Sequence, residues 1–574
     1  MKNQELARLF DRIADALELK GETGFRVLAY RKAARVLAEL TEDVATLDAE
    51  GRLQTVPGIG AGIAKKIHEY LTTGKMKKFQ EVTSGLPQGL FALLDIPGLG
   101  PKTVKLLHEQ LGVSDRNGLK RVIADGSFAK LPGLGAKKAE NILKGMAMTE
   151  RSGDRMYLSE ALELAEGVVR FLTEEPHVKR ATYAGSLRRG KETIGDIDIL
   201  ATGHDAQAII KRFLSHPQVR QVTSAGDTKA SALFETETGL RQVDIRVVAD
   251  EDYGAALQYF TGSKDHNVAL RQLAQKKGLK VSEYGVFRGN RKIAGRSEPA
   301  VYRALGFPYI EPELREDRGE LAAAQAGKLP RLVQLADIRS DLHIHTDNSD
   351  GTASLEQMVA AAQARGYTHI AITEHSASAH YAGGLSADAL LRRCDQIDRF
   401  NERSLEFRVL KSSEVDITPE GALDYPDRVL ARLDLVIASI HQAFRHEATK
   451  RMCAALAHPL VHIIAHPSGR IIGKREGYDI DLEKVIECAA RYGKILEINA
   501  YYGRLDLNDV WARKAQEAGV KLAINTDAHG IPDLDWMRYG VVTARRAWLE
   551  KKDVVNCLTY DQLLRLLSSI GKKV

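Results

Sequence analysis

Asp196 and Asp198 stand two residues apart in IGDIDIL, where apolar residues alternate as they do along a strand. On a strand, that spacing puts both carboxylates on one face. Carboxylates this close repel one another unless cations lie between them. A second alternating run, RQVDIRVVAD, adds Asp244. Three carboxylates from neighbouring strands can hold two Mg²⁺ or Mn²⁺ ions, one to activate an attacking hydroxyl and one to bridge a triphosphate. Upstream, AGSLRRG offers backbone N–H groups and a hydroxyl at Gly185 and Ser186. Arg188 and Arg189 follow, suited to charge on a transferring phosphoryl group.

A second set lies far downstream. SDLHIHTDNSD contains His343, His345 and Asp350; HIAITEH ends at His375; FRVLKSSEVDI carries Glu414. LDLVIASIH ends at His441, VHIIAHP holds His466, and KLAINTDAH ends with Asp527 and His529. Of the 17 histidines, 11 fall between residues 341 and 530. Nine nitrogen and oxygen ligands exceed the needs of one ion. About three divalent metals fit them, and Zn²⁺, Mn²⁺ and Fe²⁺ all accept such donors.

A third pattern repeats. VPGIGAGIAKKI begins at Val56, IPGLGPKTVKLL at Ile96 and LPGLGAKKAENIL at Leu131. Each places paired glycines (Gly58 and Gly60, Gly98 and Gly100, Gly133 and Gly135) before a lysine-rich helix. Glycine allows a turn with positive φ, and a helix start presents free N–H groups to phosphate. Such a site grips a nucleic-acid backbone without reading sequence. Residues 51–150 hold 15 Lys/Arg against 8 Asp/Glu, although the whole chain carries only +6.

The elements that must position these groups follow from periodicity and length. A chain of 574 residues suggests roughly four domains. Apolar residues at three-to-four spacing predict helices through residues 1–81. Short apolar runs alternating with helical segments from Asp341 onward, with ligands at successive strand ends, predict a parallel barrel whose mouth collects them. The four cysteines form no C-x-x-C pair, which argues against a disulfide scaffold or zinc finger. No apolar run is long enough for a membrane span, and the charged N-terminus lacks the core of a secretory signal, so a cytoplasmic, nucleoid-associated protein is expected.

Three resemblances sharpen this. The Gly repeats resemble the helix-hairpin-helix family, and GIGAGIAKKI resembles the lyase domain of DNA polymerase beta. Lys66 then falls on the Schiff-base lysine and Tyr30 on a pocket tyrosine, with Phe25 where that family has a histidine. This implies 5′-deoxyribose-phosphate lyase activity. Gly-Ser followed by D-x-D resembles the nucleotidyltransferase superfamily, and YFTGS at 259–263 resembles the nucleotide-binding turn of family X DNA polymerases. The resemblance implies that Asp196, Asp198 and Asp244 catalyse synthesis. It also implies that Gly185, Ser186, Arg189, Tyr259, Gly262 and Asn267 bind the dNTP, and that Arg271 touches the template. Ala184-Gly185 replaces that family's Gly-Gly. The nine downstream ligands resemble the PHP (polymerase and histidinol phosphatase) domain, with every position filled. Arg504 is a candidate contact to the DNA strand there.

The expected architecture is therefore multidomain. Residues 1–81 form a helical lyase-like domain, 82–150 a helix-hairpin-helix region, and 151–253 an α+β nucleotidyltransferase palm. Residues 254–316 form a nucleotide- and template-binding subdomain, 317–340 a linker, and 341–574 a (β/α) PHP barrel of seven strands. The expected function is short-gap filling in DNA repair, including base excision repair. It is joined to a metal-dependent 3′→5′ exonuclease, with abasic-site cleavage also open. Gapped or primer–template DNA and dNTPs are the expected partners, and a monomer is the expected state. Two alternatives stand beside this: a silent, structural PHP domain, and a barrel acting on small phosphate esters.

Overall fold

The computed structural model describes residues 2–22, 24–39, 44–56, 58–94, 96, 99–135, 138–139, 142–143, 146, 155–404 and 406–570. Contacts divide the chain into two compact units. One comprises residues 1–153 with the short segments 471–476 and 530–532, and the other comprises the remainder.

The first unit is helical among its described residues. Helices Lys2–Leu19 and Phe25–Glu39 pack together because Leu6, Phe10, Ile13 and Leu17 recur every three to four residues and meet Val27, Tyr30 and Leu37. A second core joins Leu90, Leu93, Val104, Leu107, Leu119 and Phe128. Each fully buried Leu or Phe contributes roughly 1.5–3 kcal/mol over its exposed state.

The second unit begins with a short pair, β1 (Met156–Tyr157) and β3 (Thr193–Ile194). Around it stand β2 (Val178–Tyr183), β4 (Ile197–Gly203), β5 (Val219–Ala225), β6 (Lys229–Thr236) and β7 (Gly239–Val247), in the order β2-β4-β7-β6-β5. β4 and β7 run parallel, with Asp198 opposite Asp244. Alternate residues Ile197, Ile199 and Ala201 of β4 and Val243 and Ile245 of β7 enter the core under helix Leu158–Thr173. A three-stranded antiparallel sheet follows: β8 (Lys280–Ser282), β9 (Gly285–Arg288) and β10 (Arg291–Ala294).

The barrel has seven parallel strands in sequence order. They are β11 (Ser340–Ile344), β12 (His369–Ile372), β13 (Arg408–Asp416), β14 (Leu435–Ser439), β15 (Ile463–Ile464), β16 (Ile495–Asn499) and β17 (Lys521–Asn525). A parallel bridge from Ile344 to Ala528 nearly closes it. Strands covered on both faces read as continuous apolar runs, which is why LVIAS and ILEIN are buried end to end. The seven-stranded barrel and the helical hairpin regions agree with the sequence-based expectation.

Residues 317–340 are anchored at intervals: Leu321 and Ala324 enter the core with Leu270, Val301 and Tyr302, and the Val333 N–H donates to the Leu549 carbonyl. One feature differs from expectation. The cysteine spacing argues against a disulfide scaffold, yet Cys453 and Cys488 form one disulfide between helices Ala448–Ala457 and Leu482–Tyr492. Their separation of 35 residues hides the pair, because the α-β-α path that brings those helices together carries no cysteine signature. Cys394 and Cys557 are free and buried. No described helix is long and apolar enough to cross a membrane.

Candidate active sites

The barrel mouth gathers all nine predicted ligands. His343 sits in β11 and Glu414 in β13, while His345, His375, His441, His466, Asp527 and His529 lie just beyond strand ends. Their donor atoms form three overlapping groups: His345, Asp350, His375 and His529; His343, His345 and Asp527; and His375, Glu414 and His441. Glu414 is central, with Oε1 3.0 Å from His466 Nε2 and 3.3 Å from His441 Nε2, and Oε2 3.0 Å from His375 Nδ1. Asp350 Oδ2 lies 3.3 Å from His529 Nε2, and Asp527 Oδ1 3.2 Å from His345 Nε2. His466 (φ 27°) and Asp527 (φ 57°) adopt left-handed backbone angles that non-glycine residues avoid, a local cost typical of site geometry.

Buried polar atoms without a hydrogen-bond partner cost free energy, and here they cluster: His343 Nε2, His345 Nε2, His375 Nδ1 and Glu414 Oε2. Such orphaned nitrogen and oxygen donors, aimed at one another, fit divalent metals. Electrostatics agree. Burial opposes charge on Glu414 and Asp527, yet the surrounding imidazoles hold both carboxyls well below their usual range. Burial likewise opposes protonation of His441, but Glu414 and Asp416 push it up to about 10. His529 also rises to about 10 against burial, through Asp350 and Asp527. Carboxylates that attract protons onto imidazoles this strongly attract a dication in the same place.

Two residues that sequence reasoning missed orient the ligands. β16 carries no histidine, but Glu497 Oε1 lies 2.8 Å from His343 Nδ1 and Glu497 Oε2 accepts the His466 N–H at 2.8 Å. Asp416 Oδ1 lies 2.6 Å from His441 Nδ1. Both sit at strand positions sharing a face with the mouth, so strand alternation in ILEIN and SEVD was the available signal. Carboxylates behind ligating histidines fix the ring and its tautomer. Arg504 faces Asp527, Tyr478, Asp506 and Glu414, whose charge raises its pKa against burial, and its Nη1 is buried without a hydrogen-bond partner. It is therefore a cation at the mouth and not a solvated surface arginine.

In the palm, pairing of β4 with β7 brings Asp198 beside Asp244, and Asp196 precedes β4 by one residue. Burial first, then the charges of Asp196 and Asp244, push Asp198 up to about 6. Three carboxylates that destabilise one another, all oxygen donors, fit hard divalent cations. A small cavity of about 170 Å³ is lined by Ala184, Asp198, Lys229, Asp244, Arg246 and Phe260. Gly185 has φ 60°, and a Cβ there would lie 2.3 Å from Asp198 Oδ2, so only glycine lets the turn approach the aspartates.

The other residues expected to bind nucleotide or template are each held by protein partners. Asn267 Nδ2 donates to the Tyr259 carbonyl at 2.7 Å and its Oδ1 accepts from Gln258. A side chain on Gly262 would meet that Oδ1 at 2.8 Å. Arg188 is paired with Glu298, and Arg189 with Glu316 and the Thr261 carbonyl, while the Arg189 charge still acts on Asp198. Ser186 lies on the short helix Gly185–Arg188, and Arg271 is exposed, its Nε donating to the Asn267 carbonyl.

The hairpins of the first unit share one hydrogen-bond pattern. Ile59, Leu99 and Leu134 donate to the carbonyls three residues back, of Val56, Ile96 and Leu131. The carbonyls of Gly60, Gly100 and Gly135 then each accept from residues three and four ahead. Gly58 (φ 98°) and Gly133 (φ 75°) make the left-handed turn; Gly98 lies outside the described residues. Lys66, on helix Ala61–Thr73, places Nζ 5.7 Å from the Tyr30 ring centroid and donates to the Gly62 carbonyl at 2.8 Å. Burial and then Lys78 lower its pKa, with Lys65 and Arg26 adding to that and Glu69 opposing.

Comparison with known proteins fits this geometry. Family models match as a helix-hairpin-helix domain (residues 1–76), a SAM-like helix-hairpin-helix tandem (91–146), a DNA polymerase beta thumb (256–316) and a PHP domain (341–502). The DNA polymerase/3′-5′ exonuclease PolX of Bacillus subtilis (strain 168) is 41% identical over 565 residues, covering 97% of each chain. DNA polymerase lambda of Rattus norvegicus is 28% identical over 346 residues, 55% of this chain and 56% of its own. A probable phosphatase of Thermoanaerobacter sp. (strain X514) is 31% identical over 236 residues, 38% of this chain and 89% of its own. With a DNA polymerase beta thumb and a PHP domain matched in one chain, and 41% identity over 97% of that Bacillus protein, the chain belongs to the PolX family of DNA polymerases with 3′→5′ exonuclease activity.

Proposed function

We propose that the chain fills short gaps in DNA at Asp196, Asp198 and Asp244 and trims 3′ ends at the barrel mouth. One observation supports this reading: within one compact unit, Asp198 stands opposite Asp244 on paired strands, and a separate histidine and carboxylate cluster stands at the barrel mouth. In the palm, the three aspartates hold Mg²⁺ or Mn²⁺. The Gly185–Ser186 turn, with Arg189, receives the triphosphate. Tyr259 and Gly262 line the sugar, Asn267 reaches the incoming base, and Arg271 touches the template. Asn267 must exchange the Tyr259 carbonyl for the base, and Arg189 must exchange Glu316 for phosphate.

At the mouth, the nine ligands hold about three divalent ions, and Mn²⁺, Zn²⁺ and Fe²⁺ share that donor preference. Bound metals supply an activated nucleophile and neutralise phosphate charge. The chain's own contribution is orientation: Glu497 and Asp416 fix His343 and His441, and Arg504, whose Nη1 has no hydrogen-bond partner, receives a phosphodiester oxygen. The repeated hairpins favour DNA over a small ester, because three helix starts give a backbone-binding surface that a small ester does not need. The protein would act as a monomer in the cytoplasm, at the nucleoid.

A second activity is favoured by one observation, the lowered pKa of Lys66 among Lys78, Lys65 and Arg26. Lowering the pKa of a lysine eases loss of the proton that blocks its nitrogen, and the free amine condenses with an aldehyde to a Schiff base with loss of water; with Nζ also 5.7 Å from the Tyr30 ring centroid, Lys66 suits 5′-deoxyribose-phosphate removal.

The test is a 5′-labelled primer on a one-nucleotide gap in Mn²⁺, with and without dNTPs. Extension is expected to vanish in Asp196→Ala alone and shortening in His343→Ala alone. Shortening that survives His343→Ala sinks the hydrolytic assignment. Turnover of histidinol phosphate with none on DNA sinks the choice of substrate.

A further inference from the structure

The barrel helix Met537–Arg546 lies against the phosphate turn of the palm. Gly190 ends that turn, and a Cβ there would meet Val542 Cγ1 at 2.2 Å. One turn further along, Arg546 is 5% exposed. Its Nη1 donates to the Arg189 carbonyl at 2.6 Å and to Glu316 Oε1 at 3.0 Å, and its Nη2 donates to Asp509 Oδ2 at 2.8 Å. Arg189 donates from Nε to that same Glu316 oxygen at 3.1 Å. Burial opposes ionisation of Glu316, but Arg189, Arg546 and Lys191 keep it below its usual pKa. One carboxylate oxygen is thus shared between the arginine assigned to the triphosphate and an arginine of the hydrolytic barrel.

We infer that the barrel is a working part of the polymerase, with Arg546 as a positioning residue for dNTP binding. The inference rests on the assignment of Arg189 to the triphosphate. Arg546 fixes the turn through the Arg189 carbonyl and draws on the Glu316 charge that otherwise holds Arg189. Without Arg546, that carboxylate is left to Arg189 and the more distant Lys191, and an incoming phosphate must displace a stronger Arg189 ion pair. A buried carbonyl also loses its donor. Both effects weaken nucleotide binding and leave the aspartate triad untouched, so KM rises and kcat holds.

The experiment measures single-nucleotide gap filling by the full chain as wild type, Arg546→Lys and Arg546→Met, with 3′-end hydrolysis assayed on the same samples. In Arg546→Met, the dNTP KM is expected to rise about fivefold or more, with kcat and hydrolysis within about twofold of wild type. Arg546→Lys falls between, because one ammonium cannot span three acceptors that a guanidinium fork reaches. An unchanged KM with intact hydrolysis overturns the inference. If both activities of Arg546→Met collapse together through misfolding, Asp509→Asn decides: it keeps Arg546 but weakens its anchor in the barrel, and an unchanged KM there overturns the inference as well. An Arg189→Ala variant with normal KM would show instead that the nucleotide assignment itself is wrong.

Discussion

Glu497 Oε1 lies 2.8 Å from the Nδ1 of His343, so the sole barrel strand without a predicted ligand supplies the group that orients the first one. Glu497 also accepts from the His466 N–H and from Asn525 Nδ2, tying β11, β15 and β17 through one buried carboxylate. Glu497→Gln keeps the shape but removes the charge that stabilises the His343 N–H. Metal affinity or hydrolysis is expected to fall about 10- to 100-fold, while gap filling stays intact. Metal titration followed by exonuclease and gap-filling assays on the same sample checks both halves.

Gly185→Ala is expected to abolish extension, with a loss of about 100-fold or more, and to leave hydrolysis unchanged. The added methyl would lie 2.3 Å from Asp198 Oδ2, and the φ of 60° is unfavourable for alanine. Extension within a few fold of wild type would mean that the turn does not operate in this conformation.

Borohydride should trap Lys66 on a 5′-deoxyribose-phosphate end, and Lys66→Ala should lose the adduct. Lys78→Ala should weaken trapping near neutral pH, because Lys78 is the largest cationic contributor to the lowered Lys66 pKa. An undiminished adduct in Lys66→Ala would move the lyase assignment elsewhere.

His369 gives a pH dependence of stability. Burial, aided by Arg339, lowers its pKa to about 4, and its ring packs edge-on against Tyr560 away from the metal ligands. An unfolded histidine titrates near 6.5. The folded form therefore binds fewer protons, and the contribution of this site is complete above about pH 6.5 and lost as pH falls toward 4. Near pH 4.5 the loss is about 2 kcal/mol. His369→Leu should flatten the decline of the thermal midpoint between pH 7 and pH 4.5; an identical decline would assign the acid sensitivity to other groups.

The histidine and carboxylate cluster of the barrel mouth was legible because most of its members lie in an apolar run or just beyond its end, where strand period and strand-end position mark them. The three hairpins were legible because the repeat itself is a signal that one Pro-Gly-x-Gly is not. Alternation in ILEIN and SEVD shows only which face Glu497 and Asp416 share with the mouth; their meaning depends on which imidazole the neighbouring strand delivers. The Cys453–Cys488 pair was hidden for the same reason, since helices 35 residues apart are brought side by side by the barrel path alone.

Local pattern determined the donors in this protein: aspartates two apart on a strand, histidines at strand ends, glycines before basic helices. Tertiary structure decided what those donors meet. It set Asp198 against Asp244 by the parallel register of β4 with β7, and it engaged Arg189 with Glu316 and Arg546. The physical reason is range. Alternation and capping act over a few residues, whereas ion pairs such as Arg546 with Glu316 join groups 230 residues apart and exist only once both surfaces are packed.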